Sequence, residues 1–363
     1  MVGTRLQGLV QGGMTLARLG GDEFGLLWES CPQAEQIADL AERIREELAK
    51  PFRLGRHDLF ISASLGIALF PVDTGSVEQV LRNADSALFK AKSSGRDAYA
   101  FYSQELTERA HQRVQLVSAL RRALEQDQLR VHYQPIHRLA DGQLIGCEAL
   151  VRWEHPERGL VPPGEFLPVA EESGLIGSID AWVLEQACRQ MRRWLEEDRG
   201  LAFVAVNLSC RLFRRSELYN EVAGVLAATG LAPEYLELEI TESAVMEDPD
   251  TAEALLGRLR ELGVRLAIDD FGTGYSSLQR LKRLPVHKLK IDQSFIRGLP
   301  ADQNDIAIAR VVTALGRSLG LSVLAEGVET QAQASFLREL GCDYGQGYLF
   351  SRPLPAAEVE QRW

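Results

Sequence analysis

The chain has 363 residues, a formal net charge of −11 and an apolar fraction of 45%. That length suits two ordinary domains or one barrel plus a smaller unit, and the apolar content excludes a disordered chain. The acidic balance argues against a nucleic-acid polymer as the main partner, since phosphate tracking needs a basic face. A small anionic ligand stays open if metals and a few arginines reverse the local sign.

The five cysteines (Cys31, Cys147, Cys188, Cys210, Cys342) are scattered, odd in number and without a CxxC pair. That fits a reduced cytoplasm better than a disulfide framework or a zinc site. No apolar run approaches the roughly 18 residues that span a bilayer, and MVGTRLQGLVQGGM lacks the apolar block of a signal peptide. The expectation is a soluble, cytoplasmic chain with no membrane insertion of its own, compatible with a longer, tethered parent.

Residues 1–102 read as one α+β unit. Ala17-Arg18-Leu19 and Phe24 to Trp28 are strand-like around a Gly20-Gly21 turn. Helical spacing of Ile37, Leu40, Ala41, Ile44 and Leu48 predicts a helix from Gln33 to Lys50. A hairpin across Gly55-Arg56-His57-Asp58, a helix from Val77 to Lys92 stopped at Gly95, and a closing strand at Tyr99–Tyr102 follow. Residues 103–128, charged and largely helical, read as a connecting helix.

From Leu129 to residue 363 short apolar runs alternate with amphipathic helices: FVAVNLS, YLELEIT, VRLAIDD, HKLKID, LSVLAEG and CDYGQGY. That alternation predicts βα units and a mainly parallel sheet. The stretch from 118 onward has close to the roughly 250 residues of a (β/α)8 barrel. Asn207, Glu239, Asp269 with Asp270, Lys290, Glu326 and Gln346 each close one of these runs. That rim is where a barrel builds its active site. Helix capping explains one such residue, Asp270 or Asn207 most easily, but strains as an account of six successive strands.

In EALVRW, Glu148, Leu150 and Arg152 alternate and share one face. Glu148 and Arg152 lie about 13 Å apart along a strand, so each needs another partner. A metal for Glu148 and a phosphate for Arg152 satisfy both; separate ion pairs within the barrel are the competing reading. Lys290, between apolar Leu289 and Ile291, faces opposite to them, into the barrel. The oxygen-rich donor set favours Mg²⁺ or Mn²⁺ over zinc. Two adjacent carboxylates at a strand end, Asp269-Asp270, followed by a glycine-rich turn, suit a pair of such ions, which clamp the attacking and leaving oxygens of a phosphodiester.

Taken together, QPI at Gln134, EALVRW at Glu148, NLS at Asn207, ELEITES at Glu237, DDFGTGYSS at Asp269, KLKID at Lys288, AEGVET at Ala325 and GQGYLFSRP at Gly345 make residues 129–363 resemble the EAL domain of bacterial cyclic-di-GMP phosphodiesterases. Residues 1–102 resemble the C-terminal part of a GGDEF domain, with GGDEF itself at Gly20–Phe24. The resemblance implies a modified (β/α)8 TIM-type barrel that hydrolyses cyclic-di-GMP to linear pGpG and so lowers second-messenger levels. It implies metal binding by Glu148, Asn207, Glu239, Asp269 and Asp270, and catalysis by Glu326, as general base or by holding a metal-bound water, with Lys290 positioning the attacking water. Arg152 would grip a phosphate. Gln134 and Leu150 would line the ligand groove, with Asp292 and Gln346 beside it. Glu242 would hold the DDFGTG loop, with Glu329 as a second support. A homodimer through the barrel is implied as well.

The GGDEF half here lacks the upstream strands and helices that complete the family's nucleotide site, and Gln11 and Met14 replace its R-x-x-D inhibitory pair. It is therefore expected to be inactive as a cyclase, and either to expose a sheet edge and associate or to be poorly ordered. The alternative for the barrel is an effector that binds cyclic-di-GMP without cleaving it. A third possibility is a protein-interaction scaffold.

Overall fold

Gly20 and Gly21 turn the chain between two antiparallel strands, as their sequence predicts. The computed structural model describes residues 1–29, 33–54, 57–93, 95–213, 217–273 and 278–361. These form two compact units, residues 1–119 and 120–363.

In the first unit, α1 (Val2–Gln7) precedes β1 (Met14–Gly20) and β2 (Glu23–Trp28), which pair from Met14↔Trp28 to Gly20↔Glu23. Helix α2 (Ala34–Ala49) follows the predicted periodicity. It packs Leu40, Ile44 and Leu48 against Leu6 and Phe52, and Ala38 and Ala41 against Tyr99 and Phe101. Strands β3 (Phe52–Leu54) and β4 (His57–Leu59) pair antiparallel as the expected hairpin, with His57 and Asp58 in β4 rather than between the strands; Gly55 and Arg56 lie outside the described residues. The sequence reading did not isolate β5 (Leu65–Ile67). It runs parallel to β6 (Tyr99–Phe101), with α3 (Val77–Ser93) as the crossover between them. The described strands of this unit stay in separate two-stranded pairs, and Phe60 (73%), Phe89 (75%) and Val72 (73%) remain exposed.

Helix α4 (Gln104–Glu125) stops three residues short of the expected end, because Asp127 takes a left-handed φ of 52° that no α-helix continues through. The second unit, which takes in the end of α4, continues with β7 (Leu129–Arg138), β8 (Leu144–His155) and β9 (Gly159–Val161). Helices α5 (Pro163–Ser173) and α6 (Ile176–Glu196) lead to β10 (Phe203–Leu208), α7 (Cys210–Phe213) and α8 (Leu218–Thr229). Next come β11 (Leu236–Thr241), α9 (Glu242–Glu247), α10 (Pro249–Leu262), β12 (Arg265–Phe271) and α11 (Leu278–Leu281). The chain closes with β13 (Lys288–Ile291), α12 (Gln303–Leu319), β14 (Ser322–Ala325), α13 (Gln331–Leu340), β15 (Tyr344–Gly345), β16 (Leu354–Pro355) and α14 (Ala356–Glu360).

Strands β8 and β10 to β15 run parallel in the order β8-β10-β11-β12-β13-β14-β15. Strand β7 is antiparallel to both β15 and β8 and closes the ring at eight strands. The result is a modified (β/α)8 barrel. Its interior is packed. A Cβ on Gly146 of β8 would sit 2.8 Å from the Phe203 ring of β10, so only glycine leaves room for that ring. Outside, α6 buries Ile179, Val183, Leu184, Ala187, Met191 and Trp194 at helical spacing, each large side chain contributing about 1.5–3 kcal/mol. Among the described residues no helix is long and apolar enough to cross a membrane.

Candidate active site

Lys290 sits at the centre of the polar cluster. Its flanking residues Leu289 and Ile291 are fully buried on the opposite face of β13, so alternation sends the Lys290 side chain inward. The ammonium is itself fully buried, and its Nζ lies 2.5 Å from Glu239 Oε2, 2.7 Å from Glu326 Oε1, 3.1 Å from Asp269 Oδ1 and 3.9 Å from Glu148 Oε1. These acids come from β11, the residue after β14, β12 and β8. Four carboxylates around one ammonium leave three negative charges in excess inside a pocket that water scarcely reaches. Such an excess draws in protons or cations.

The acid–base shifts express this crowding. Burial on its own lowers the Lys290 value, but Asp269, Glu148, Glu239 and Glu326 outweigh it and hold the ammonium well above the ordinary lysine range. Burial pushes the Glu239 carboxyl well up, against the pull of Lys290. Burial pushes Glu326 up to about 8, again against Lys290, although 19% of its side chain stays accessible at the pocket mouth. Asp270 is raised by burial, then by Asp269 and Asp292.

Carboxylate oxygens of Asp269, Asp270 and Glu326 lie within 4.8 Å of one another, close enough to share one cation. Glu239 Oε1 is buried and has no hydrogen-bond partner among the described residues. An all-oxygen donor set with an orphaned buried oxygen fits a hard divalent cation. Asp270 reaches the cluster through a strained backbone: its φ is +53° and its N–H donates to Asp269 Oδ1 at 2.9 Å.

Glu148 is held from two sides. Asn207 Nδ2 donates to its Oε1 at 2.6 Å, and Gln346 Nε2 donates to its Oε2 at 2.5 Å. Gln346 Nε2 also reaches Gln134 Oε1 at 3.0 Å, and Gln134 Nε2 donates to the Ser351 carbonyl at 3.1 Å. Both glutamines are buried, so they brace Glu148 as well as border the pocket. Gly347, at φ +155°, lets this segment pass Val328, whose carbonyl oxygen would stand 2.2 Å from any Cβ there.

Leu150 and Arg152 follow on the Glu148 face, both half-buried. Arg152 donates to the carbonyl of Val151 at 2.8 Å and makes no ion pair among the described residues, and burial lowers its guanidinium value. Asp292 caps the turn after β13, accepting from the N–H of Ser294 at 3.0 Å and from its hydroxyl. Glu242 Oε2 accepts the N–H of Gly272 at 2.9 Å, tying α9 to the turn after Asp269-Asp270; Gly274–Ser277 of the DDFGTGYSS motif lie outside the described residues. Glu329 stands apart. It is exposed, its N–H donates to Gln333 Oε1 at 2.8 Å, and its carboxylate touches none of the cluster among the described residues.

Two features escaped the sequence reading. Glu237 and Lys288, each two residues before a cluster member, form a second buried ion pair at 2.5 Å, with Lys288 Nζ 4.0 Å above the Phe203 ring. The doubled patterns E-x-E in LELEIT and K-x-K in HKLKID were the available signal. Asp180 of α6 is also buried and accepts the N–H of Ser209 at 3.2 Å.

Residues 117–353 match the family model of the EAL domain. The chain belongs to the EAL domain family. Residues 1–98 match the diguanylate cyclase GGDEF domain. Over 358 residues the chain is 47% identical to the bifunctional diguanylate cyclase/cyclic di-GMP phosphodiesterase MucR of Pseudomonas aeruginosa, covering 99% of this chain and 52% of that protein. It is 45% identical over 361 residues to the cyclic di-GMP phosphodiesterase NbdA of the same species, covering 99% of this chain and 46% of that one. The chain thus spans about half the length of the curated relatives it matches. Among solved structures, the PaMucR phosphodiesterase in a c-di-GMP complex aligns with a TM-score of 0.66 at 51% identity, covering 68% of this chain and 99% of that one.

Proposed function

We propose that this chain hydrolyses cyclic-di-GMP to linear pGpG in a reaction that depends on divalent cations. The observation that carries the reading is the buried excess of carboxylates around Lys290, beside a guanidinium, Arg152, that lacks an ion-pair partner among the described residues. An anionic phosphodiester enters such an acidic pocket only when cations reverse its sign. The relatives named as phosphodiesterases and the related c-di-GMP complex support the choice of substrate.

Glu148, Asn207, Glu239 and Asp269, with Asp270, would hold Mg²⁺ or Mn²⁺, the ions that an oxygen donor set selects. When bound, they supply Lewis acidity toward phosphate oxygens and water. Arg152 binds a non-bridging phosphate oxygen. Glu326 accepts the proton of the attacking water as that water adds to phosphorus; the P–O bond to the 3′ oxygen breaks, and the leaving oxygen takes up a proton. Lys290, 2.7 Å from Glu326, orients that carboxylate and donates toward the same water. Gln134, Leu150, Asp292 and Gln346 border the substrate, and Glu242, with Glu329 further out, supports the loops.

Pairing with a second copy through the barrel belongs to the same reading. The Glu242–Gly272 bond offers the coupling, because any shift of α9 moves the turn that carries Asp269 and Asp270. Full activity from a species that light scattering finds monomeric would remove that part.

The test of the site is Glu148→Ala, which should form no pGpG while remaining folded. Turnover at the parent rate would count decisively against the assignment. Tight cyclic-di-GMP binding by the parent protein without turnover in either metal would favour an effector instead.

A further inference from the structure

Two buried acids in the barrel each capture a backbone N–H just beyond a strand of the site. Glu242 takes the N–H of Gly272, three residues after Asp269. Asp180 Oδ2 takes the N–H of Ser209, two residues after Asn207, at 3.2 Å. We propose that Asp180 is a positioning residue that fixes the end of β10 so that Asn207 meets Glu148 and the cation.

Asp180 is 8% exposed and projects from α6, the helix packed over β10. Among the described residues no lysine or arginine pairs with it, and burial pushes its carboxyl up to about 6 despite the bonds from Ser209. A buried carboxylate without a counter-ion costs stability, whereas an apolar side chain would pack there at no such cost. An apolar residue could not accept the Ser209 N–H, and that acceptor is the role the geometry gives Asp180. The anchor spreads along the loop: Ser209 Oγ accepts the N–H of Leu212 at 3.2 Å, starting α7, and Cys210 Sγ lies 3.7 Å from Thr241 Oγ1 at the end of β11. The loop is thus pinned between α6 and β11. Asn207, just before it, must hold its amide within hydrogen-bond reach of Glu148 Oε1. Groups that orient metal ligands affect affinity by roughly 10–100-fold when removed.

The inference rests on the proposed cation site, and direct titration of Mn²⁺ into the substrate-free chain separates the two. The parent protein should take up Mn²⁺. Asp180→Ala should bind it at least about tenfold more weakly. Asp180→Asn, whose amide oxygen still accepts the Ser209 N–H, should bind it like the parent. Circular dichroism checks folding, and Asp180→Leu, which keeps the branched outline with bulkier ends but not the acceptor, replaces Asp180→Ala should that variant not fold. Equal uptake by the parent and the folded Ala or Leu variant would overturn the role of Asp180 and leave the cation site standing. Uptake by Asp180→Asn as weak as by Asp180→Ala would overturn it too, since charge rather than anchoring would then matter. A parent protein that takes up no Mn²⁺ would overturn both.

Discussion

Glu242 Oε2 accepts the N–H of Gly272 at 2.9 Å, so a glutamate at the start of α9 holds the turn that follows Asp269 and Asp270. Glu242→Ala leaves that N–H unpaired and lets the two aspartates drift. Cation affinity should fall by roughly 10–100-fold, and Glu242→Gln, which keeps an acceptor, should recover most of it. Calorimetric titration with Mn²⁺ checks both; an alanine variant with unchanged affinity would show that the turn holds itself.

The Glu326 carboxyl, pushed up to about 8 by burial, keeps its proton at neutral pH in the cation-free protein. Cation binding must expel it. Affinity should therefore rise with pH up to about 8, by as much as tenfold per pH unit for one displaced proton, and binding at pH 7 should release protons. Mn²⁺ calorimetry in two buffers of different ionisation enthalpy measures that release. Identical heats in the two buffers would contradict it.

Lys290→Ala removes the one ammonium that, among the described residues, pairs with all four of the surrounding carboxylates. Turnover should drop at least about 100-fold. Breaking a buried ion pair costs roughly 3–5 kcal/mol, and here the cost arises from carboxylates forced to stay ionised. It should be largest near pH 8 and shrink toward pH 5 as those acids protonate. Thermal melts of variant and parent at both values test this; a gap that widens on acidification would refute it.

Much of this site was legible in the sequence, because a strand's alternation is a strong constraint. Lys290 between Leu289 and Ile291 could only face inward, and Glu148 and Arg152 had to share a face. Asn207, Asp269 and Gln346 are found at the rim where their runs end. The rest depended on closure of the ring. Gln134 and Gln346 read as groove residues, yet their brace on Glu148 exists only because the antiparallel β7 brings Gln134 beside β8. Asp180 is one polar residue in an amphipathic helix, and nothing local marks it as buried. Glu329 sits in a motif with Glu326 but is exposed, because both lie in the irregular loop between β14 and α13 and Glu329 is already next to the cap of that helix.

Asp180 also gives stability a pH dependence. Its folded value of about 6 exceeds the ordinary 3.8, so the folded state binds more protons between those limits. The contribution is fully present below the lower value and is lost as pH rises through the upper one. At roughly 1.4 kcal/mol per pH unit the loss amounts to about 3 kcal/mol. Asp180→Asn should abolish that slope, which urea unfolding of variant and parent between pH 4 and 7 would reveal. Parallel curves for the two proteins would dismiss the effect.

Product analysis of the purified chain incubated with cyclic-di-GMP decides whether the barrel hydrolyses it. With Mg²⁺ or Mn²⁺ present, chromatography should show pGpG accumulating as the cyclic substrate disappears, and a chelator should stop it. Cyclic-di-GMP recovered intact after hours in either metal would mean that the barrel is no phosphodiesterase.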